Sequence, residues 1–309
     1  MKVIDSNVEI LEQQPGIVGM FKHIERVART AYHTESSITD DSYIKFCDML
    51  LKRGHWACFE HGTVYLRISK FPTFVETIYF KNNPYTKYSE DLDYYYFTTN
   101  YREILHFCNS NGKDPKEILE KYWFEPNNID FKLRVTVKWI CSRAISHEIV
   151  RHRLYSQLQA SQRYIAYDLE KNGGGITYII PQWAYVLGEK HEIPGLRGEE
   201  FWKALVDVDN TAAARNNFWD ICEKEYIEER NSLKPENARG VLCNDVMTEI
   251  CTTGFVDDFI YEPKNTTEKA GFFYLRCAPD AHPDFSVLAK KLRKLFITKF
   301  YLDNYENIE

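Results

Sequence analysis

The segment Phe131–Trp139, F-K-L-R-V-T-V-K-W, alternates apolar and polar side chains. Alternation with a period of two puts successive side chains on opposite faces, so the segment is a strand with one buried and one polar face. Such strands belong to antiparallel or mixed sheets, because the strands of an all-parallel sheet are apolar on both faces. V-Y-L-R-I-S, residues 64–69, alternates in the same way, and a V-x-I-L piece within residues 1–14 reads as a short strand.

Helical spacing appears between these strands. Ile17, Met20, Phe21, Ile24 and Val27 predict a helix over Gly16–Tyr32. Tyr43, Phe46, Cys47, Met49 and Leu50 predict a second over Asp41–Arg53, ended by Gly54. Further helices are expected over Tyr101–Ser110, from Asp114-Pro115 to Tyr122, from near Ser142 into Arg151, over Gly198–Asn231, from Lys234-Pro235 to about Thr253, and over Phe285–Tyr301. I-T-Y-I-I before Pro181 reads as a strand, and N-G-G-G at 172–175 as a turn. The expected class is α+β, an antiparallel or mixed central sheet flanked by helices. Residues 1–309 read as a single domain, and the Tyr- and Asn-rich stretch 70–130 as an insertion within it.

Between the Ser142 helix and the glycine turn lies Arg151–Tyr164, R-H-R-L-Y-S-Q-L-Q-A-S-Q-R-Y. Arginine is charged at any working pH and presents a flat fork of donors. Arg151, Arg153 and Arg163, interleaved with hydroxyls and amides, suit an anion; a solvated basic helix is the plain alternative. The net charge is -6 and the pI about 5.9. That balance argues against a broad nucleic-acid face, whose affinity comes from phosphate neutralisation, and for a small anionic ligand.

H-E-I-V-R-H at 147–152 is no zinc-protease motif, because the position four after His147 is Arg151. No metal site is expected. The glycines at 173–175 are not followed by G-K-[ST], so they form no P-loop. The eight cysteines include no C-x-x-C pair and read as reduced thiols of a cytoplasmic protein. There is neither an 18-residue apolar run nor an apolar leader, so no membrane partner is expected.

The fixed positions Arg151, His152, Arg153, Ser156, Ser161 and Arg163 resemble the R-H-R-x-x-S…S-x-R signature of flavin-dependent thymidylate synthases. G-H-W-A-C-F-E-H at Gly54–His61 resembles the family's N-terminal flavin motif, with Ala57 and Cys58 where many members carry Thr or Ser. S-H-E-I-V-R-H-R at Ser146–Arg153, P-E-N-A-R ending at Arg239, and Leu275-Arg276 resemble further family segments. N-Y-R at 100–102 echoes an N-x-R element.

The resemblance implies reductive methylation of dUMP to dTMP, with methylenetetrahydrofolate as carbon donor and NADPH reducing a bound FAD. It implies dUMP contacts from Glu148, Arg151, Gln159, Ser161, Gln162, Arg163, Arg239 and Arg276. Arg276 is the expected catalytic group, stabilising charge as uracil N3 ionises. The implied flavin contacts are His55, Glu60, Arg151, His152, Arg153 and Gln159; those between Gly254 and Gly271 stay unassigned. A homotetramer with shared active sites is also implied. No Pro-Cys-His occurs, so no cysteine nucleophile is expected, and Ser161 reads as a binding hydroxyl. Two other readings stay open: a module for single-stranded nucleic acid, with rings as stacking platforms, and a different flavoprotein oxidoreductase.

Overall fold

A strand that alternates needs a neighbour on each edge to satisfy its backbone. In the computed structural model, which describes residues 1–126, 130–168, 174–265, 268 and 270–300, the alternating segment becomes β6, Arg134–Ser142. Its neighbours are β2, Asn7–Leu11, and β9, Met247–Phe255, both antiparallel, with Trp139 opposite Val8 on one side and Ile250 on the other. β7, Ser156–Gln159, closes the far edge, giving the order β2-β6-β9-β7.

Both faces of this sheet are covered. Val135, Val137, Trp139 and Cys141 pack with Ile145 and Ile149 of α6 (Arg143–Ile149), Phe272 of α12 (Phe272–Arg276), and Phe285, Leu288 and Leu292 of α13 (Pro283–Phe300). On the opposite face Cys251 and Leu11 meet Val27 of α1, Gly16–Thr30. A buried polar chain crosses there. His23 Nε2 meets Thr136 Oγ1 at 2.9 Å, Thr136 Oγ1 meets Thr253 Oγ1 at 2.7 Å, and Thr253 Oγ1 meets His61 Nδ1 at 2.7 Å. Burial keeps both rings neutral, pulling His23 down to about 4 and His61 to about 3.

Two smaller sheets flank the first. β3 (Thr63–Ser69), β4 (Lys87–Glu90) and β5 (Tyr94–Asn100) make an antiparallel sheet in the order β3-β5-β4. It packs with α1, with α2 (Ser42–Lys52), and with α3 (Val75–Asn82), α4 (Tyr101–Asn111) and α5 (Pro115–Tyr122) around Leu66, Phe80, Phe97 and Phe107. β1 (Lys2–Ile4) runs parallel to β8 (Thr177–Ile179). Beside that pair lie α7 (Gln182–Lys190), α8 (Gly198–Val208) and α9 (Asn210–Arg230). There Trp219 stacks between Tyr178 and Trp202, each at 4.7 Å. The chain is α+β, with antiparallel sheets and helices.

Three expectations change. The helix expected from Lys234 to Thr253 is only one turn, α10 (Pro235–Ala238), and a 3-10 turn, Arg239–Val241; the rest is β9. β9 is buried on both faces, so its apolar and Thr residues run without alternation and mimic helical spacing. The helix expected over 198–231 divides at Asp209, whose carboxylate accepts the N–H groups of Thr211 and Ala212 at 2.8 and 3.0 Å and starts α9. β4 and β5 form within the stretch read only as Tyr-rich. Asn172 and Gly173 of the expected turn, and Tyr301 of the expected last helix, lie outside the described residues.

Candidate active site

The Ser142 side chain caps α6 by accepting Ile145 N–H at 3.3 Å. α6 gives out just before the R-H-R triplet, and β7 then returns along β9. Gln157 fastens this reversal, its Nε2 donating to the carbonyls of Ile149 (2.9 Å) and His152 (3.3 Å). Gln159 Nε2 donates to Ser146 Oγ at 2.7 Å and Thr248 Oγ1 at 3.2 Å. Gly254 makes room for Tyr155: a Cβ there would come within 2.2 Å of the ring. Tyr155 in turn stacks on Phe259 at 4.6 Å. The triplet is therefore presented from a fixed base.

Arg276, in the last turn of α12, reaches back to that base. Its Nε–H donates to His152 Nε2 at 2.9 Å and its Nη1 to Glu148 Oε2 at 3.0 Å. The guanidinium also lies 4.7 Å from the Phe285 ring. His152 sits among Tyr155, Phe272 and Phe285. Burial, then the Arg276 charge, pulls its pKa down to about 4. The ring is neutral at pH 7, its proton is on Nδ1, and Nε2 is free to accept from arginine.

A second cluster gathers at the end of the motif. Ser161 N–H donates to the Ala31 carbonyl at 3.1 Å, and Ser161 Oγ accepts the Arg163 N–H at 3.3 Å. Arg163 projects with its side chain 56% exposed, its Nε 3.9 Å from the Glu236 carboxylate. Arg239 is exposed in the turn after α10. Burial lowers the pKa of the half-buried Arg143; the Tyr167 phenol opposes this, and the like charge of Arg239 adds to the lowering. Gln162 hydrogen-bonds Tyr167. His55 joins from the N-terminal turn through Tyr32: Tyr32 Oη meets His55 Nδ1 at 2.9 Å, and the Tyr32 ring lies 5.6 Å from Tyr164.

Arg151 and Arg153 are exposed and have no carboxylate partner among the described residues. Glu60 turns elsewhere. It pairs with Arg102, and both line a separate cleft of about 640 Å³ beside α3 and α4. The structure thus joins Glu148, His152 and Arg276, and links His55 to the basic stretch, but in this chain it does not bring Glu60 to them. Arg143 and Tyr32 are absent from the sequence-derived set. Arg143 stands eight residues before Arg151, one helix away in sequence, and carried no motif to flag it.

The thymidylate synthase complementing protein family model matches residues 132–300. The Gly54–His61 turn lies outside that match. A flavin-dependent thymidylate synthase of Geobacter sulfurreducens is 27% identical over 157 residues, which are 50% of this chain and 52% of that protein. The chain therefore spans about half the length of this curated relative. Among solved structures, a UMP/dUMP methylase from Streptomyces cacaoi, bound with 5-Br dUMP, has a TM-score of 0.42 at 14% identity over 96% of this chain and 93% of its own. The same methylase bound with 5-Br UMP gives 0.42 and 14% over 96% and 92%. The family match takes in more than half of the chain, including Arg151–Arg163, Arg239 and Arg276, and on it the chain belongs to the thymidylate synthase complementing protein family.

Proposed function

We propose that the chain methylates dUMP to dTMP reductively, using methylenetetrahydrofolate as carbon donor and FAD reduced by NADPH. The observation that carries this reading is the fixing of Arg276 by Glu148 and His152 directly behind the R-H-R motif.

The residues fit an anionic flavin nucleotide: Arg151 and Arg153 are forked cations without a carboxylate partner among the described residues, the donors a pyrophosphate takes. FAD, when bound, supplies the hydride. Arg151, His152, Arg153, Gln159 and His55 would hold it, and Glu60 would need to release Arg102 to join them. Arg163, Arg239, Ser161 and Gln162 would bind the dUMP phosphate. Glu148, Arg151 and Gln159 would complete the nucleotide contacts. Arg276, whose Nη2 has no hydrogen-bond partner among the described residues, would face the uracil and stabilise charge at N3. No protein nucleophile enters this scheme: burial raises Cys58 to about 12 and also raises Cys277.

A homotetramer with shared sites is part of the proposal. Val150, Leu154, Tyr164 and Leu275, beside the basic loop, are 43%, 51%, 56% and 45% exposed, apolar surface that a second subunit would cover. Residues 70–130 are read as an enlargement, supported by a family match that begins at 132. A cytoplasmic setting suits the eight free thiols. The test is conversion of dUMP to dTMP by the purified protein with NADPH and methylenetetrahydrofolate, dependent on added or bound FAD. A colourless protein that makes no dTMP and retards oligonucleotides would overturn the proposal.

A further inference from the structure

α1 ends on a residue ill suited to its backbone. Thr34 N–H returns to the Arg29 carbonyl at 3.2 Å, and His33 N–H to the Thr30 carbonyl at 3.4 Å. This double closure is the one by which helices stop at a left-handed residue, usually glycine. Here that residue is His33, at φ 50°. A side chain at such a φ crowds the backbone, and the strain persists only where the surroundings hold it. The His33 side chain is 19% exposed and faces Glu249, its Nε2 3.8 Å from Oε2. Glu249 Oε1 in turn meets Lys138 Nζ at 3.0 Å.

The closure decides which carbonyl of the helix is left over. Those of Arg29 and Thr30 take the returning N–H groups, and the next, that of Ala31, accepts Ser161 N–H at 3.1 Å. Ala160 N–H donates to the Glu249 carbonyl at 2.7 Å. The start of the Ser161–Arg163 segment thus hangs on two backbone acceptors, and His33 bears on both. Its backbone aims the Ala31 carbonyl, and its ring lies against the Glu249 side chain. The N–H groups of Tyr164 and Ile165 then close onto the Ser161 carbonyl at 3.0 Å each, so the direction in which Arg163 leaves the turn is set at Ser161.

We propose that His33 is a positioning residue: its left-handed backbone aims the Ala31 carbonyl at Ser161 and thereby sets where the Arg163 guanidinium stands. His33 acts through Ser161 and not on the ligand. That Arg163 meets a nucleotide phosphate rests on the function proposed above.

Substitutions at position 33 that differ in their tolerance of a left-handed backbone test this. Each is read by calorimetric titration of the full chain, supplied with FAD, with dUMP and with deoxyuridine, and by steady-state rates. His33→Gly and His33→Asn, which accept that backbone, bind dUMP as wild type does. His33→Val, β-branched and the least tolerant, raises Kd and KM for dUMP on the order of tenfold, while kcat and deoxyuridine affinity stay unchanged. His33→Ala falls between, and serves if His33→Val does not fold. A loss in His33→Gly as large as in His33→Val would give the role to the ring and overturn the proposal. Wild-type dUMP affinity in both His33→Val and His33→Ala, or equal losses for dUMP and deoxyuridine, would overturn it as well. Failure of wild type to bind dUMP at all would instead sink the functional reading.

Discussion

Arg276 donates its Nε–H to the unprotonated Nε2 of His152 across 2.9 Å, joining α12 to the turn after α6. The bond exists only while the imidazole is neutral, because an imidazolium has no acceptor. Glu148 takes a second donor of the same guanidinium, so its plane is fixed from two sides before any ligand arrives.

Removing that group tests its role. One charge about 4 Å from a reacting atom, at an effective dielectric near 20, is worth roughly 4 kcal/mol, or about three powers of ten in rate. Arg276→Ala is expected to lower tritium release from 5-labelled dUMP by about that factor. Arg276→Lys keeps the charge but loses the fork to Glu148 and His152, and recovers only part. Wild-type rates in both variants would remove Arg276 from the chemistry.

Acid should loosen the fold through the buried histidines. Below about pH 6.5 the unfolded chain takes up protons that folded His152 refuses until about pH 4. The contribution of His152 is therefore complete above 6.5 and lost as the pH falls through that window, by up to about 3 kcal/mol. His23 acts over the same range and His61 slightly lower, to about 3. Urea midpoints at pH 7, 5.5 and 4.5 should fall steadily. Equal midpoints would show that the rings are not buried neutral.

Phosphate recognition separates from base recognition. Arg163 and Arg239 are exposed, and among the described residues the nearest carboxylate to Arg163 is that of Glu236 at 3.9 Å, so each is available to a phosphate. Arg163→Ala or Arg239→Ala should raise the Kd for dUMP on the order of ten- to a hundredfold and leave deoxyuridine binding nearly unchanged. Equal losses for both ligands would place these arginines elsewhere.

Ser161 Oγ has the Arg163 N–H beside it, and none of its described hydrogen bonds reaches a base that could take its proton. Ser161→Ala should retain tritium release while weakening dUMP binding severalfold. Complete loss of release with binding intact would make Ser161 a nucleophile.

How much of this was legible in the sequence depended on which faces of an element are buried. β6 alternates visibly because Lys138 and Arg134 share its polar face, and the strand was expected within three residues of its start. β9, between β6 and β7 with cover on both faces, loses that alternation and in sequence reads as a helix. Arg151–Arg163 and Arg276 stood out because short motifs survive without structural context. The pairing of Arg276 with His152, 124 residues apart, left no local trace. The partnership of Glu60 with Arg102 depends in the same way on how the β3-β5-β4 sheet folds back on the Trp56–His61 turn.

The chain of side chains from His23 to His61 has a direction. It contains three hydrogen bonds but only two hydroxyl protons, so at least one imidazole must donate. If His23 donates, both threonines point their protons toward His61; if His61 donates, both point the other way. Turning one hydroxyl alone would set two protons, or two lone pairs, against each other. The tautomers of the two rings, which meet Thr136 and Thr253, paired residues of neighbouring strands, are therefore read off one another, and a proton placed at one end is registered three bonds away as a reversal of polarity.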